Sequence, residues 1–450
     1  MKIRLVHQVF ILWLCVLLAA CAAPYRTPKM NPEVSDFPGI YDALRIPKTT
    51  SVDVILVHGM CTHKEDWVTN TNKELADALN MTLDDIGPPM PLGDSPTPDQ
   101  SSHEAQLYTA RMTGFGLTVN TFSIVWSPIS DDAKRALCYD VSGGNASCPS
   151  AGEVTTGKRV LANRFLKETL LDNCLADAVF YAGDVGREKI QSAIRRGVSW
   201  VLFGNQNDLC GEHPAVDMAP GTKGQTPLIF LTESLGSKML YDTLRNTANS
   251  CSGDKRHGFA AALQRPIEVF MAANQMPILS LADRTSSAQG VLGTAPGGAE
   301  QTQVPKDVTP AVNPVIDILK LSTSGGVPTS TLRQQQGAAN NVVGVLAPKW
   351  VVAFSDPNDL FSYTLRSSVC NDGQTCGTVD NIHFSDVLVS NDWSYLFLFE
   401  NPYSAHTEYL ARTTASGIGQ VVAKMIACGG RNYKQPCDPS TDREGTVDHP

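Results

Sequence analysis

The heptapeptide LTESLGS, Leu231 to Ser237, constrains this chain more than any other stretch. It closes the apolar run Pro227-Leu228-Ile229-Phe230 and opens directly onto a helix-forming segment, Ser237-Lys238-Met239-Leu240-Tyr241-Asp242. A buried strand that becomes a helix within so few residues leaves no room for bulky neighbours. The compact residues Thr232 and Gly236 accordingly flank Ser234, two positions away on either side. Such a turn raises the Ser234 hydroxyl beside a helix N-terminus, whose unpaired N–H groups can stabilise developing negative charge.

Other apolar runs end in polar, chemistry-bearing residues in the same way. Val52-Asp53-Val54-Ile55-Leu56-Val57 reads as a strand covered on both faces and runs into His58-Gly59-Met60. Lys349-Trp350-Val351-Val352-Ala353-Phe354 leads into Ser355-Asp356-Pro357-Asn358-Asp359. A third run, Tyr395-Leu396-Phe397-Leu398-Phe399, leads into Asn401-Pro402-Tyr403-Ser404-Ala405-His406. The carboxyl ends of strands are where open α/β sheets bind ligands. With His-Gly, then Ser, Asp and His in this order, the chain resembles the α/β-hydrolase fold family, whose triad runs serine, acid, histidine. The resemblance spans roughly Thr50 to Ile426. It implies an α/β fold with a mostly parallel central sheet, flanked by helices and carrying loop or lid insertions. The chain departs from the usual Gly-x-Ser-x-Gly pattern at Thr232, which replaces the first glycine.

Carried over residue by residue, the resemblance makes Ser234 the nucleophile and His406 its base. A serine hydroxyl needs a base within hydrogen-bond reach, and a histidine can return the proton to the leaving group. His406 is preferred to His383, which precedes the last apolar run. Asp359 is preferred to Asp356 as the acid, because Asp356, standing before Pro357, suits a turn-initiating role. The oxyanion donors would be the backbone N–H groups of Met60 and Leu235. Glu233 stands where family members often carry histidine, and both a structural salt bridge and a pocket-tuning role are open to it. The implied activity is hydrolysis of a carboxylic ester, from a small-molecule ester or a lipid, with no cofactor and no metal. The reading from a different class is a non-catalytic cell-envelope lipoprotein that uses a hydrolase-like body for binding or assembly.

The ends address the chain to a membrane. Lys2 and Arg4 precede the apolar run Val9 to Leu18, and Leu18-Ala19-Ala20-Cys21 resembles a bacterial lipobox. Residues 1–20 then read as a lipoprotein signal peptide, with Cys21 as the lipidated anchor. Ala22 after the cysteine resembles lipoproteins sent to an outer membrane, facing the periplasm. Five prolines between Ala22 and Lys48 make 21–49 a semi-rigid tether. The net charge of −9 argues against nucleic acid as a partner.

Of twelve cysteines, ten remain after Cys15 and Cys21. Neighbour pairs Cys138/Cys148, Cys370/Cys376 and Cys428/Cys437 would close short loops in an oxidising compartment. Cys61, Cys174, Cys210 and Cys251 cannot be paired from sequence. His58, Cys61 and His63 could be drawn as zinc ligands, but no Cys-x2-Cys pair supports that.

The hydrolase domain is expected over 50–428. Helices are expected at Thr71 to Asn80, Val160 to Leu202 and Lys238 to Asn246, and strands at Leu117 to Trp126 and Ile267 to Ala272. Leu161, Phe165, Leu166, Leu170 and Cys174 lie near helical spacing and read as a core-facing stripe. Residues 285–340 read as a flexible insertion and candidate lid. A helix over Thr407 to Leu410 is expected to follow His406, and 429–450 forms a polar tail.

Overall fold

The computed structural model describes residues 27–30, 34–46, 49–93, 103–141, 159–207, 226–251, 267–283, 349–365, 382–390, 402–410 and 417–434, with short pieces between them. Cys21 and the expected signal lie outside the described residues, as do Cys210, Cys370, Cys376 and Cys437.

Eleven described strands form one mixed sheet: β1 Lys29–Met30, β2 Ser51–Val57, β3 Thr82–Leu83, β4 Met90–Pro91, β5 Gln106–Gly114, β6 Leu117–Val125, β7 Leu228–Glu233, β8 Ile267–Ala272, β9 Lys349–Ser355, β10 Thr378–Val379 and β11 Ile382–Leu388. The order is β1-β11-β9-β8-β7-β2-β6-β5-β3, with β4 on β5 and β10 on β11. The six central strands, β11 through β6, run parallel. The peripheral pairings are antiparallel. The architecture is therefore α/β.

Successive side chains of a strand point to opposite faces, and here both faces are covered. Ile55, Val57, Phe230 and Met271 face the layer holding helices Asp184–Phe203 and Leu235–Ser250. Val54, Leu56, Leu231, Phe270 and Phe354 face helices Ile40–Leu44, Glu65–Leu79 and Ile418–Asn432.

Several expectations need correction. Strand β5 was not anticipated; it joins β6 through Phe115-Gly116, both at positive φ, the two-residue geometry that matches strand twist. The tether over 21–49 is not free along its length. β1 pairs with β11, and Phe37, Ile40, Tyr41 and Leu44 are buried in the core, their spacing placing them on one side of the chain. The body extends likewise past 428, since helix Ile418–Asn432 buries Gly429 and Gly430 against the Phe37 segment.

The stripe from Leu161 is not a core face. Leu170 and Cys174 are buried, but Leu161, Phe165 and Leu166 are 74%, 38% and 42% exposed. Residues Leu166–Leu175 wind as a wider π-helix, so three- and four-residue spacing no longer stacks on one side. The described ends of the run Tyr395 to Phe399 do not join the central sheet. Ser394–Tyr395 and Phe399–Glu400 pair antiparallel in a separate small sheet, and β11 occupies the position beside β9. The helix bearing His406, Pro402–Thr407, stops before Tyr409.

Cys138–Cys148 is a disulfide, as the spacing predicts, and Cys61 is bonded to Cys174 across 113 residues. Cys251 and Cys428 are also disulfide-bonded. The candidate lid 285–340 lies outside the described residues except Val315, Ile318 and Leu319, which are buried in the core.

Candidate active site

Strand β7 is buried at every position and sits between β2 and β8. It ends at Ser234, whose φ of 53° and ψ of −124° depart from ordinary strand or helix values. A non-glycine residue held there stores local strain. The Ser234 N–H is fixed by the Ala272 carbonyl at 2.8 Å, and the helix Leu235–Ser250 begins at the next residue.

Two glycines permit this packing. A Cβ on Gly59 would lie 2.5 Å from Ser234 Cβ, and one on Gly236 would lie 2.5 Å from the His58 carbonyl oxygen. The loop after β2 therefore rests directly on the serine, and the helix directly on that loop. Thr232 is accommodated where a glycine was expected because it faces small Ser237, with the two hydroxyl oxygens 2.8 Å apart.

Ser234 Oγ lies 2.9 Å from His406 Nε2. His406 Nδ1 lies 2.9 and 3.0 Å from the two carboxylate oxygens of Asp359. All three residues are buried. The fold thus gathers the serine from the end of β7, the preferred aspartate from the loop after β9 and the histidine from the helix Pro402–Thr407. Asp356 does not reach the histidine. Its carboxylate accepts the Asn358 N–H at 2.8 Å and its carbonyl accepts the Asp359 N–H at 3.0 Å, so it builds the turn that aims Asp359. His383 lies on β11 near the opposite end of the sheet, stacked on Trp350 with ring centroids 4.6 Å apart.

The loop His58 to His63 is held from several sides. His58 Nε2 faces the N–H groups of Trp126 and Ser127 at 3.0 and 3.3 Å, so that nitrogen is the acceptor. Nδ1 therefore carries the proton and donates to the Gly59 carbonyl at 2.7 Å. In a trans peptide the carbonyl and the following N–H point opposite ways. Anchoring the Gly59 carbonyl consequently fixes the direction of the Met60 N–H. His63 Nε2 lies 3.1 Å from the Met60 carbonyl. Burial lowers the pKa of both rings, His63 to about 4, which preserves these neutral arrangements.

Cys61, at a φ of 78°, is tied to Cys174, and buried Asp177 lies close by. Asp177 in turn pairs with buried Lys134 at 3.1 Å, and Lys134 donates to Thr62 Oγ1 at 2.8 Å. The disulfide excludes Cys61 as a zinc ligand, and among the described residues no cluster of metal-ligating side chains forms. Neither the Met60 nor the Leu235 N–H donates a hydrogen bond to a described residue.

Three further residues of the site were not anticipated. Tyr409 OH donates to Asp359 Oδ2 at 3.2 Å and accepts the Asp356 N–H at 2.5 Å, bracing the acid. Trp67 Nε1 donates to Glu233 Oε2 at 3.0 Å, so buried Glu233 has an indole as partner. Burial raises its pKa to about 7, against the smaller pull of Trp67. Gln275 follows β8 and brings its amide nitrogen to 3.4 Å from His406 Nε2. The rule that strand carboxyl ends line the site would have flagged Gln275; nothing local marks Tyr409.

No family model, curated protein or solved structure matches this chain.

Proposed function

We propose that this chain is a serine hydrolase with the α/β-hydrolase fold, cleaving a carboxylic ester through an acyl-enzyme. The observation that carries the reading is the buried, continuous chain of contacts Ser234 Oγ–His406 Nε2 and His406 Nδ1–Asp359, at 2.9 Å each. In this reading His406 takes the Ser234 proton as Oγ attacks the ester carbonyl. Asp359 holds the tautomer and stabilises the imidazolium. The N–H groups of Met60 and Leu235 receive the tetrahedral oxygen, a contribution of about 10²–10³ in rate for each donor. The preference for esters over amides is an analogy with the resembled family. Anchoring through lipidated Cys21, in the outer membrane and facing the periplasm, belongs to the same proposal and rests on the sequence of the first 22 residues.

The test is hydrolysis of p-nitrophenyl esters from acetate to palmitate by protein lacking the signal and Cys21, beside Ser234→Ala. The expected result is activity that falls by about 10⁴ or more in the variant, with the chain-length profile separating esterase from lipase. Folded wild type that is inert on every ester, and unlabelled by a serine-reactive phosphonate, overturns the proposal in favour of a binding module.

A further inference from the structure

We propose that Gln275 is a further catalytic residue. Its carboxamide holds the oxygen that exchanges a proton with His406 Nε2: the leaving alcohol during acylation and the incoming water during deacylation. The inference rests on the hydrolase reading above and assigns a step within it.

The placement of Gln275 is fixed by its backbone. It stands just past β8, between the strand that ends in Ser234 and the strand that leads to Asp359. Ala273 turns the chain at a φ of 51°. Asn274 is then locked to Tyr363 by hydrogen bonds in both directions, at 2.8 and 2.9 Å, and it accepts the Met276 N–H at 3.2 Å. The Gln275 carbonyl accepts the Leu279 N–H at 3.1 Å. This framework fixes the backbone from which the side chain departs.

That side chain is 2% exposed, and among the described residues its amide nitrogen meets only long or weak acceptors. Its amide nitrogen is 3.4 Å from His406 Nε2 and 3.7 Å from Met60 Sδ. The single lone pair on Nε2 is already engaged by the Ser234 hydroxyl at 2.9 Å. A thioether sulfur is a weak acceptor. A buried carboxamide without a strong hydrogen bond is costly, and a packing role alone would be filled better by an apolar residue. The amide nitrogen is thus within reach of both the base and the side chain of Met60, on the loop after β2.

Chemistry defines that oxygen. In acylation, Ser234 Oγ bonds to the acyl carbon and its proton passes to Nε2. The ester C–O bond then breaks, and the alcohol oxygen takes the proton from Nε2. In deacylation, the water oxygen bonds to the acyl carbon, its proton passes to Nε2, and the Oγ–carbon bond breaks as Oγ regains the proton. Both oxygens must come within about 3 Å of Nε2, and by microscopic reversibility they share one position. A donor 3.4 Å from the same nitrogen can reach an oxygen placed there. The Gln275 N–H would stabilise the alcohol oxygen as its charge develops and would orient the water.

Sensitivity to the leaving group follows. A p-nitrophenolate departs without assistance, whereas an alkoxide needs it. For the full-length protein with Gln275→Met, turnover of an alkyl ester should fall about 10- to 100-fold. The pre-steady-state release of p-nitrophenol should stay near the wild-type rate and become a clear burst as deacylation slows. Gln275→Asn, which keeps a shorter carboxamide, should fall between the two. Titrating Ser234 with a phosphonate normalises each rate to intact sites, so a partly folded preparation still reports. Parallel losses on alkyl ester turnover and p-nitrophenyl acylation, or no loss on either, would overturn the assignment. If Ser234→Ala abolishes activity while Gln275→Met behaves as wild type, only the role of Gln275 falls. If wild type is inert or Ser234→Ala remains active, the hydrolase reading falls with it.

Discussion

Glu233 offers the most quantitative perturbation, because its carboxyl is buried beside the nucleophile with its pKa raised from 4.5 to about 7. The folded state binds this proton more tightly than the unfolded chain does. Protonation therefore favours folding fully below pH 4.5, and this contribution is lost as pH rises through about 7. Above that range the fold carries the whole cost of a buried carboxylate. A shift from 4.5 to about 7 is on the order of 3 kcal/mol, most of which is lost between pH 5 and pH 8. Glu233→Gln removes the titration while leaving an oxygen for Trp67 Nε1. The difference in unfolding free energy between variant and wild type should thus move by about 2–3 kcal/mol in the variant's favour over that interval. Any cost of fitting the extra amide hydrogens is constant with pH and cancels in the comparison. Urea denaturation of the unreduced proteins at pH 5, 6.5 and 8 measures it. Two parallel stability curves would refute the argument. A wild type that gains on the variant as pH rises would show that Glu233 is ionised and paired.

The remaining predictions concern the placement of the reacting groups. Asp359→Asn should lower kcat by about 10⁴ through loss of the imidazole tautomer, whereas Asp356→Asn should cost far less; equal losses would show that Asp356 serves as the acid. Gly59→Ala puts a methyl group 2.5 Å from Ser234 Cβ, so it should lower the rate of phosphonate labelling by at least about 10² by displacing the Met60 donor; wild-type labelling would show that the loop does not rest on the serine in solution. Replacing Cys61 and Cys174 together by serine opens a closed loop of 113 residues. It should cost on the order of 4–5 kcal/mol in urea denaturation, together with some activity; a change below about 1 kcal/mol would contradict the entropic argument.

Features decided within a few residues were legible in the chain. The strand-to-helix turn at Ser234 requires small neighbours by local sterics, and both Gly236 and Thr232 meet that requirement in the fold. Asp356 showed its turn-forming role through the adjacent proline, which left Asp359 for His406. Apolar runs identified five of the six central parallel strands, β2, β6, β7, β8 and β9, because a strand covered on both faces needs little alternation, whereas β11 was missed and the run at Tyr395 was read in its place.

The tertiary structure decided what depends on contacts between distant elements. Tyr409 braces Asp359 only because the chain turns back after His406, and Gln275 reaches the histidine only because β8 lies between β7 and β9. Cys61 found Cys174, and not a nearer cysteine, because the helical layer lies over the loop after β2. Side-chain pattern also misplaced the face of the Leu161 to Cys174 stripe, since helical pitch there is set by how that segment winds. Local sterics and the burial of apolar strands are written in consecutive residues. The partners that fix a buried hydroxyl, amide or thiol are chosen by the packing of the whole chain.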